Sequence, residues 1–418
     1  MRIRNSGIVV ALAAIVTAAC APKTADDPNS THVENISRVA LDAARVELEA
    51  RVASERIVGG AHMVVRNGEI VYFHVAGASD FENRTPLEAD TIMRIYSMTK
   101  PITSAAAMML WQQGKFELDD PVSKFIPAFG STQVLIQGAD STETIPAQHP
   151  ITVRDALRHS TGYTYGDGEP GLKPYYEKEG MLYDAEYGLF PPNMSIAEAA
   201  DSLARIPILH QPGATFTYGF STDLLGRLVE IWAGMPLDEY LQEAIFTPLA
   251  MVDTGFSVPE GKWDRFSSCH KWEDGERSVA DKAANSPYLD GFEFLSGGGG
   301  LVSTMQDYAN FCQMLIDGGE FNGKRLLEAS TIKLMFTNQL AGMAGEFRFG
   351  LGFEINDREL GAGNAKRSVS AFRWGGYANT AFEIVPEANL FQVFMRQSIP
   401  TDHEIAEAVF EIVYAGTD

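Results

Sequence analysis

Ser97 and Lys100 stand three residues apart in Ile95-Tyr96-Ser97-Met98-Thr99-Lys100-Pro101. A serine hydroxyl is a weak nucleophile until a neighbouring base takes its proton. A lysine amine can be that base when burial and nearby donors favour its neutral form. On a helix that starts near Ser97, positions i and i+3 share a face, so the amine reaches the hydroxyl. The partly positive helix start then lies beside a developing oxyanion. Pro101 suits a first turn, and the small apolar run 102–110, ending at Gly114, predicts a buried helix. S-x-x-K by itself arises by chance about once in a chain of this length. The remaining chain has to supply partners.

Three stretches offer them. Phe216-Thr217-Tyr218-Gly219-Phe220-Ser221 follows Pro212-Gly213 and opens a predicted helix. Tyr218 there can face a cleft and serve as general base, as a phenolate or through Lys100, or it can be a core tyrosine with a satisfied hydroxyl. Trp374-Gly375-Gly376-Tyr377 reads as a strand edge whose glycines allow close backbone approach and an N–H aimed at an oxyanion, or as a β-bulge. His159-Ser160-Thr161-Gly162-Tyr163 reads as a structural turn. No G-x-S-x-G elbow, no H-E-x-x-H and no paired His/Cys ligand spacing occurs. Gly297-Gly298-Gly299-Gly300 lacks the Lys-Ser/Thr of a phosphate loop and reads as a flexible turn.

The elements that must position these groups are legible in outline. Asn67-Gly68 between β-rich runs predicts a hairpin over 62–66 and 69–75. Apolar spacing predicts helices over 33–56, 151–159, 195–204, 221–233, 304–317 and 403–414. Strands are expected over 349–355, 370–374, 380–385 and 390–396, and the middle, 115–300, shows no clear run of strands. The expected architecture is α/β (α+β): one antiparallel sheet from both chain ends, flanked by helices, with a mainly helical subdomain inserted over about 101–300.

The 418 residues are 45% hydrophobic and 21% charged, enough for a large core, and the net charge of −22 argues against nucleic acid as a partner. Arg2 and Arg4 precede an apolar stretch over 7–19 that is short for a membrane span. Residues 1–19 therefore read as a signal peptide, 20–32 as a polar tether and 33–418 as the catalytic domain. The end of the leader, Val16-Thr17-Ala18-Ala19-Cys20, resembles a bacterial lipoprotein signal with Cys20 as the lipidated residue; Thr17 departs from the usual aliphatic residue. Ordinary cleavage after Ala19 or Ala21 is the alternative. Either route predicts export, with membrane contact only through a lipid at Cys20. Cys269 and Cys312 can then pair in an oxidising compartment or stay as buried thiols.

Taken together, Ser97-Met98-Thr99-Lys100, Tyr218 after Pro-Gly, and Trp374-Gly375-Gly376 resemble the family VIII carboxylesterases of the serine β-lactamase and penicillin-binding-protein superfamily, nearest the class C enzymes. The resemblance spans roughly 38–415 and includes 114–122, 151–157 and 297–304. It implies a β-lactamase-like fold, Ser97 as acylated nucleophile, Lys100 in its proton network, Tyr218 as base and then acid, and an oxyanion hole from the N–H groups of Ser97 and Tyr377. It implies no metal or organic cofactor, and a small-molecule ester as substrate. Two departures from class C enzymes stand out: Phe220 where they carry asparagine, and Trp374-Gly375-Gly376 where they carry Lys-Thr-Gly. Both remove polar groups that would meet a β-lactam, which places Phe220 and Trp374 among the expected substrate contacts. Tyr163, Tyr165, Tyr175, Tyr176, Tyr183, Tyr187 and Phe190 line a pocket or pack the insert. The expected function is an esterase working through acyl-Ser97. The alternatives are a β-lactamase, a D-amino-acid peptidase or an acyltransferase with the same site, or a non-catalytic penicillin-binding sensor, which would be expected to lack Ser97, Lys100 or Tyr218.

Overall fold

The computed structural model describes residues 32–136, 142–166, 168–182, 194–273, 275–363 and 366–418. The leader, Cys20, nearly all of the tether, and Tyr183, Tyr187 and Phe190 lie outside the described residues. Helix α1 (Arg38–Ala53) is followed by strands β1 (Gly59–Arg66), β2 (Glu69–Asp80) and β3 (Thr85–Pro86). Asn67 and Gly68 both adopt positive φ, 53° and 79°, as a tight hairpin turn requires. Next come α2 (Thr99–Gln112), α3 (Val153–Leu157), α4 (Ile196–Leu203), α5 (Ser221–Ala233) and α6 (Met305–Ile316). Strands β4 (Glu354–Leu360), β5 (Arg367–Gly376), β6 (Thr380–Val385) and β7 (Leu390–Met395) then precede α7 (Glu404–Ala415).

These seven strands form one antiparallel sheet in the order β4-β5-β6-β7-β1-β2-β3, so the N-terminal hairpin joins the C-terminal strands through β7 against β1. Both faces are covered, which is why every residue of β1 is buried. On one face α1 and α7 bring Leu41, Leu48, Val409 and Phe410 onto Val64 and Phe394. On the other, α2, α5 and α6 share a larger core with Phe382, Phe391 and Val393. Local chemistry sets the helix ends. Thr152 with Asp155, and Ser195 with Glu198, form reciprocal capping boxes at α3 and α4. Gly234, at φ 74°, stops α5.

Three expectations need correction. Residues 349–353 are not strand: Gly352 turns at φ 97° with its Cα against Ser104, so β4 begins only at Glu354. The middle carries strands after all, including the antiparallel pair Cys269–Glu273 and Glu276–Asp281. Ser97 sits in a 3₁₀ turn, Tyr96–Met98, that leads into α2, one turn before the α-helix proper. Cys269 and Cys312 are both free and buried.

His62 on β1 is fully buried between Gln392 and the ring of Phe410. Desolvation pushes its imidazole down to about 4. An unfolded histidine titrates near 6.5, so below that pH the unfolded chain binds a proton that the folded chain refuses. His62 therefore destabilises the fold progressively as pH falls from about 6.5 to about 4, by up to roughly 3 kcal/mol. Urea unfolding across this window should show a falling midpoint, and His62→Leu should flatten the slope. A midpoint that holds steady down to pH 4 would contradict the burial argument.

Candidate active site

The nucleophile turn is built against the end of β5. Tyr96 takes φ 42°, an uncommon conformation for a residue with a side chain, and its ring packs edge-on against Tyr377 at 5.8 Å. Gly376 makes that approach possible. A Cβ there would stand 2.3 Å from both the Ile95 carbonyl oxygen and Thr380 Oγ1. A Cβ on Gly375 would meet the His403 ring at 2.7 Å. The β5–β6 register runs unbroken through both glycines, so the pair is not a bulge. The glycines answer to packing of the sheet edge onto the serine turn.

Ser97, Lys100 and Tyr218 converge. Lys100 Nζ donates to Ser97 Oγ at 3.2 Å, and Tyr218 OH donates to the same oxygen at 2.6 Å. Lys100 is about 1% exposed. Its nitrogen also donates to Tyr165 Oη at 2.9 Å and to the Gly298 carbonyl at 2.6 Å, and it lies 4.6 Å from the centroid of the Tyr218 ring. Three acceptors thus surround one lysine nitrogen. The Tyr218 ring is wedged between Trp374 at 5.5 Å, Tyr165 at 5.5 Å and His159 at 5.3 Å. Burial, assisted by Lys100, holds the His159 imidazole well below its ordinary range.

Ser97 and Tyr218 open into a cavity of about 380 Å³ together with Phe216, Trp374, Gly375, Gly376 and Tyr377, within the size range of small-molecule sites, about 300–1,000 Å³. Glu354, Arg373, Thr401 and His403 also line it. Arg373 is surrounded by carboxylates: Glu407 in contact, Glu383 at 3.6 Å and Glu354 at 3.7 Å. Burial raises the Glu354 carboxyl, with Arg373 opposing, and lowers the His403 imidazole.

Of the site residues expected from sequence, Ser97, Lys100, Tyr218, Trp374, Gly375, Gly376 and Tyr377 come together. Phe220 does not reach the cavity. It caps α5, is fully buried, and packs edge-on against Tyr165 at 5.0 Å and stacked on Tyr176 at 6.0 Å. The contact to Lys100 beside it is made by the Tyr165 hydroxyl. Tyr163 and Tyr176 are fully buried core, while Tyr175 lies partly exposed. Two participants escaped sequence reading. Tyr165 was hidden within an aromatic-rich run. Gly298 belonged to a glycine string that reads as flexible, yet all four glycines are buried and one of them holds Lys100.

A buried lysine and a tyrosine hydroxyl aimed at one serine oxygen, in a cleft at the end of β5, define a serine acyl-transfer enzyme. The chain belongs to the beta-lactamase family, which matches residues 45–412. It is 26% identical to esterase EstB of Burkholderia gladioli over 373 residues, 84% of this chain and 88% of that protein. It is 28% identical to monacolin J acid methylbutanoyltransferase of Aspergillus terreus over 380 residues, 81% and 86% of the two chains. Among solved structures, EstCE1, a hydrolase with promiscuous acyltransferase activity, superposes with a TM-score of 0.74 at 23% identity, covering 90% of this chain and 99% of that one. The simvastatin synthase LovD from Aspergillus terreus gives 0.72 at 24% identity, covering 90% and 97%. The fold is β-lactamase-like, and the protein is a serine hydrolase of that class.

The glycine geometry separates two substitutions. Gly376→Ala forces a Cβ onto backbone and should lower ester kcat/KM by roughly 100-fold, as a displacement of about 1 Å does. Gly375→Ala meets the His403 side chain closely and backbone, the Thr380 carbonyl oxygen, only at 3.2 Å, and should lose about tenfold or less. Steady-state kinetics on both variants check this, and equal losses would contradict it.

Proposed function

We propose that the protein hydrolyses small carboxylic esters through an acyl-Ser97 intermediate. The observation that carries the reading is the double convergence on Ser97 Oγ by Lys100 Nζ and Tyr218 OH. In the reactive state Tyr218 is a phenolate, its own proton having passed to solvent, beside the Lys100 amine; Ser97 Oγ then bonds to the ester carbonyl carbon as the serine proton passes to that phenolate. The N–H groups of Ser97 and Tyr377 stabilise the oxyanion. Tyr218 then protonates the departing alkoxide. Water repeats the sequence on the acyl-serine and releases the acid.

The cleft favours neutral esters over β-lactams. A penicillin or cephalosporin carboxylate needs a cation, and the guanidinium that lines the cleft, Arg373, already faces three carboxylates. Trp374 offers an aromatic wall in place of a polar side chain. The departure at Phe220 acts inside the core, where it backs Tyr165, and makes no substrate contact. A second reading, acyl transfer to an alcohol in place of water, draws support from the acyltransferase relative. It needs only a better acceptor at the same acyl-enzyme. A leader over 1–19 and a lipidated Cys20 would place the enzyme outside the cytoplasm, tethered to a membrane.

A paired assay with p-nitrophenyl butyrate and a chromogenic cephalosporin tests the reading. Fast ester turnover with slow or absent cephalosporin turnover is expected; comparable efficiencies would mark a β-lactamase. Ser97→Ala should abolish ester turnover without loss of fold, and retained hydrolysis would sink the assignment. Tyr218→Phe should slow acylation about 10²–10⁴-fold. A near-normal rate in that variant would move the base role to Lys100.

A further inference from the structure

Asp223 lies in the first turn of α5, about 2% exposed, and no step above uses it. Its Oδ1 accepts from Ser296 Oγ at 2.5 Å and from the Gly298 N–H at 3.1 Å. Among the described residues its Oδ2 has no hydrogen-bond partner, and it stands 2.4 Å from where a Cβ on Gly298 would be. Position 298 therefore accommodates this carboxylate only as glycine. The same Gly298 gives its carbonyl to Lys100 Nζ. Lys100 and Asp223 thus grip one residue from two sides, an ammonium and a carboxylate in the same dry interior. Polar groups left uncompensated in such an interior are strongly disfavoured.

The titratable groups around Lys100 are Tyr165, Tyr218, His159 and Asp223. Burial keeps His159 neutral. Burial raises the Asp223 carboxyl, while the Lys100 charge and the two donors oppose that rise. Asp223 is the carboxylate of this set, and it is joined to Lys100 through Gly298.

We infer that Asp223 is the counter-ion that holds Lys100 as an ammonium, and that this assigns proton transfer at Ser97 to Tyr218. An ammonium has three N–H donors and no lone pair. The three acceptors Ser97 Oγ, Tyr165 Oη and Gly298 O take all three donors. Lys100 so held cannot accept the serine proton, but its charge stabilises a phenolate on Tyr218. Once Tyr218 has given its own proton to solvent, the proton of Ser97 passes to the Tyr218 phenolate as the bond from Oγ to the carbonyl carbon forms, and it leaves Tyr218 for the alkoxide as the ester bond breaks. Asp223 touches neither substrate nor reacting atoms; it is a positioning residue acting through Lys100.

Asp223→Asn keeps the shape and removes the charge. Ester kcat/KM should fall about 10–100-fold at neutral pH, and the alkaline limb of its pH profile should move down by about one unit or more. Ser296→Ala removes a hydrogen bond to the same carboxylate without touching its charge, and should keep the wild-type limbs. A structural role alone would give both variants one profile. The inference rests on the acyl-serine reading for these rates only. NMR of side-chain-labelled lysine, with the Lys100 signal assigned by its loss in Lys100→Met, reads the charge without turnover. At neutral pH the signal should sit at the ammonium position in wild type and shift toward the amine in Asp223→Asn. An ammonium signal retained in Asp223→Asn overturns the inference whatever the rate. Should that variant not fold, the wild-type spectrum decides: an amine signal overturns the inference, and an ammonium signal supports it.

Discussion

A charged amine sealed in the protein interior is the constraint around which this structure is arranged. Lys100 is almost wholly removed from water, so each of its donors needs a protein acceptor. The acceptors come from far apart in sequence: the turn before α2, the aromatic segment at 165, and the glycine loop at 298. Bringing them together requires α2 and α5 to pack side by side and the loop at 297–300 to enter the core between them. There, a Cβ on Gly297 would lie 2.8 Å from the Thr222 carbonyl oxygen and 3.2 Å from the Thr103 side chain. The sheet supplies the last requirement, because the end of β5 closes over the serine turn only if Gly376 lacks a side chain. Catalytic groups and core packing are here one set of contacts, which ties the site to the fold's stability.

The chemistry at Ser97 follows from the polarity of its surroundings. Two hydrogen-bonding groups face the nucleophile, while aromatic rings enclose Tyr218 on several sides. A dry wall strengthens each charge interaction inside it and gives an apolar acyl or alcohol group a surface to bury against. The charged part of the lining, Glu354 and Arg373, has a different character. It belongs to a cluster in which Arg358 and Arg373 are embedded among Glu354, Glu383, Glu407 and Glu411. This charge belongs to the joint between β4, β5, β6 and α7, and leaves the guanidinium beside the cleft already compensated.

Much of this was legible in the sequence because local signals were strong. Asn67-Gly68 specified the hairpin, apolar spacing the span of α5, and Ser97, Lys100 and Tyr218 the core of the site. The signals failed where a residue's role depended on a distant partner. Gly350-Leu351-Gly352 reads as part of a strand until Ser104 is seen to need the space. Phe220 is an expected substrate contact only through the resemblance, standing where class C enzymes carry asparagine, yet as the cap of α5 it turns into the core. Gly297–Gly300 reads as a flexible turn because nothing local announces that Thr222, Gly226 and Asp223 fill the space beside it. Tyr165 is one of several tyrosines in its segment, and only the three-dimensional position of Lys100 distinguishes it.

The central claim is that acyl transfer runs through Ser97. Rapid mixing with p-nitrophenyl butyrate, followed by acid quench and peptide mass analysis, tests it most directly. The account predicts a burst of p-nitrophenol matching the enzyme concentration, with one butyryl group on the peptide that carries Ser97. A butyryl group found on any other residue, with Ser97 unmodified while turnover proceeds, would contradict it.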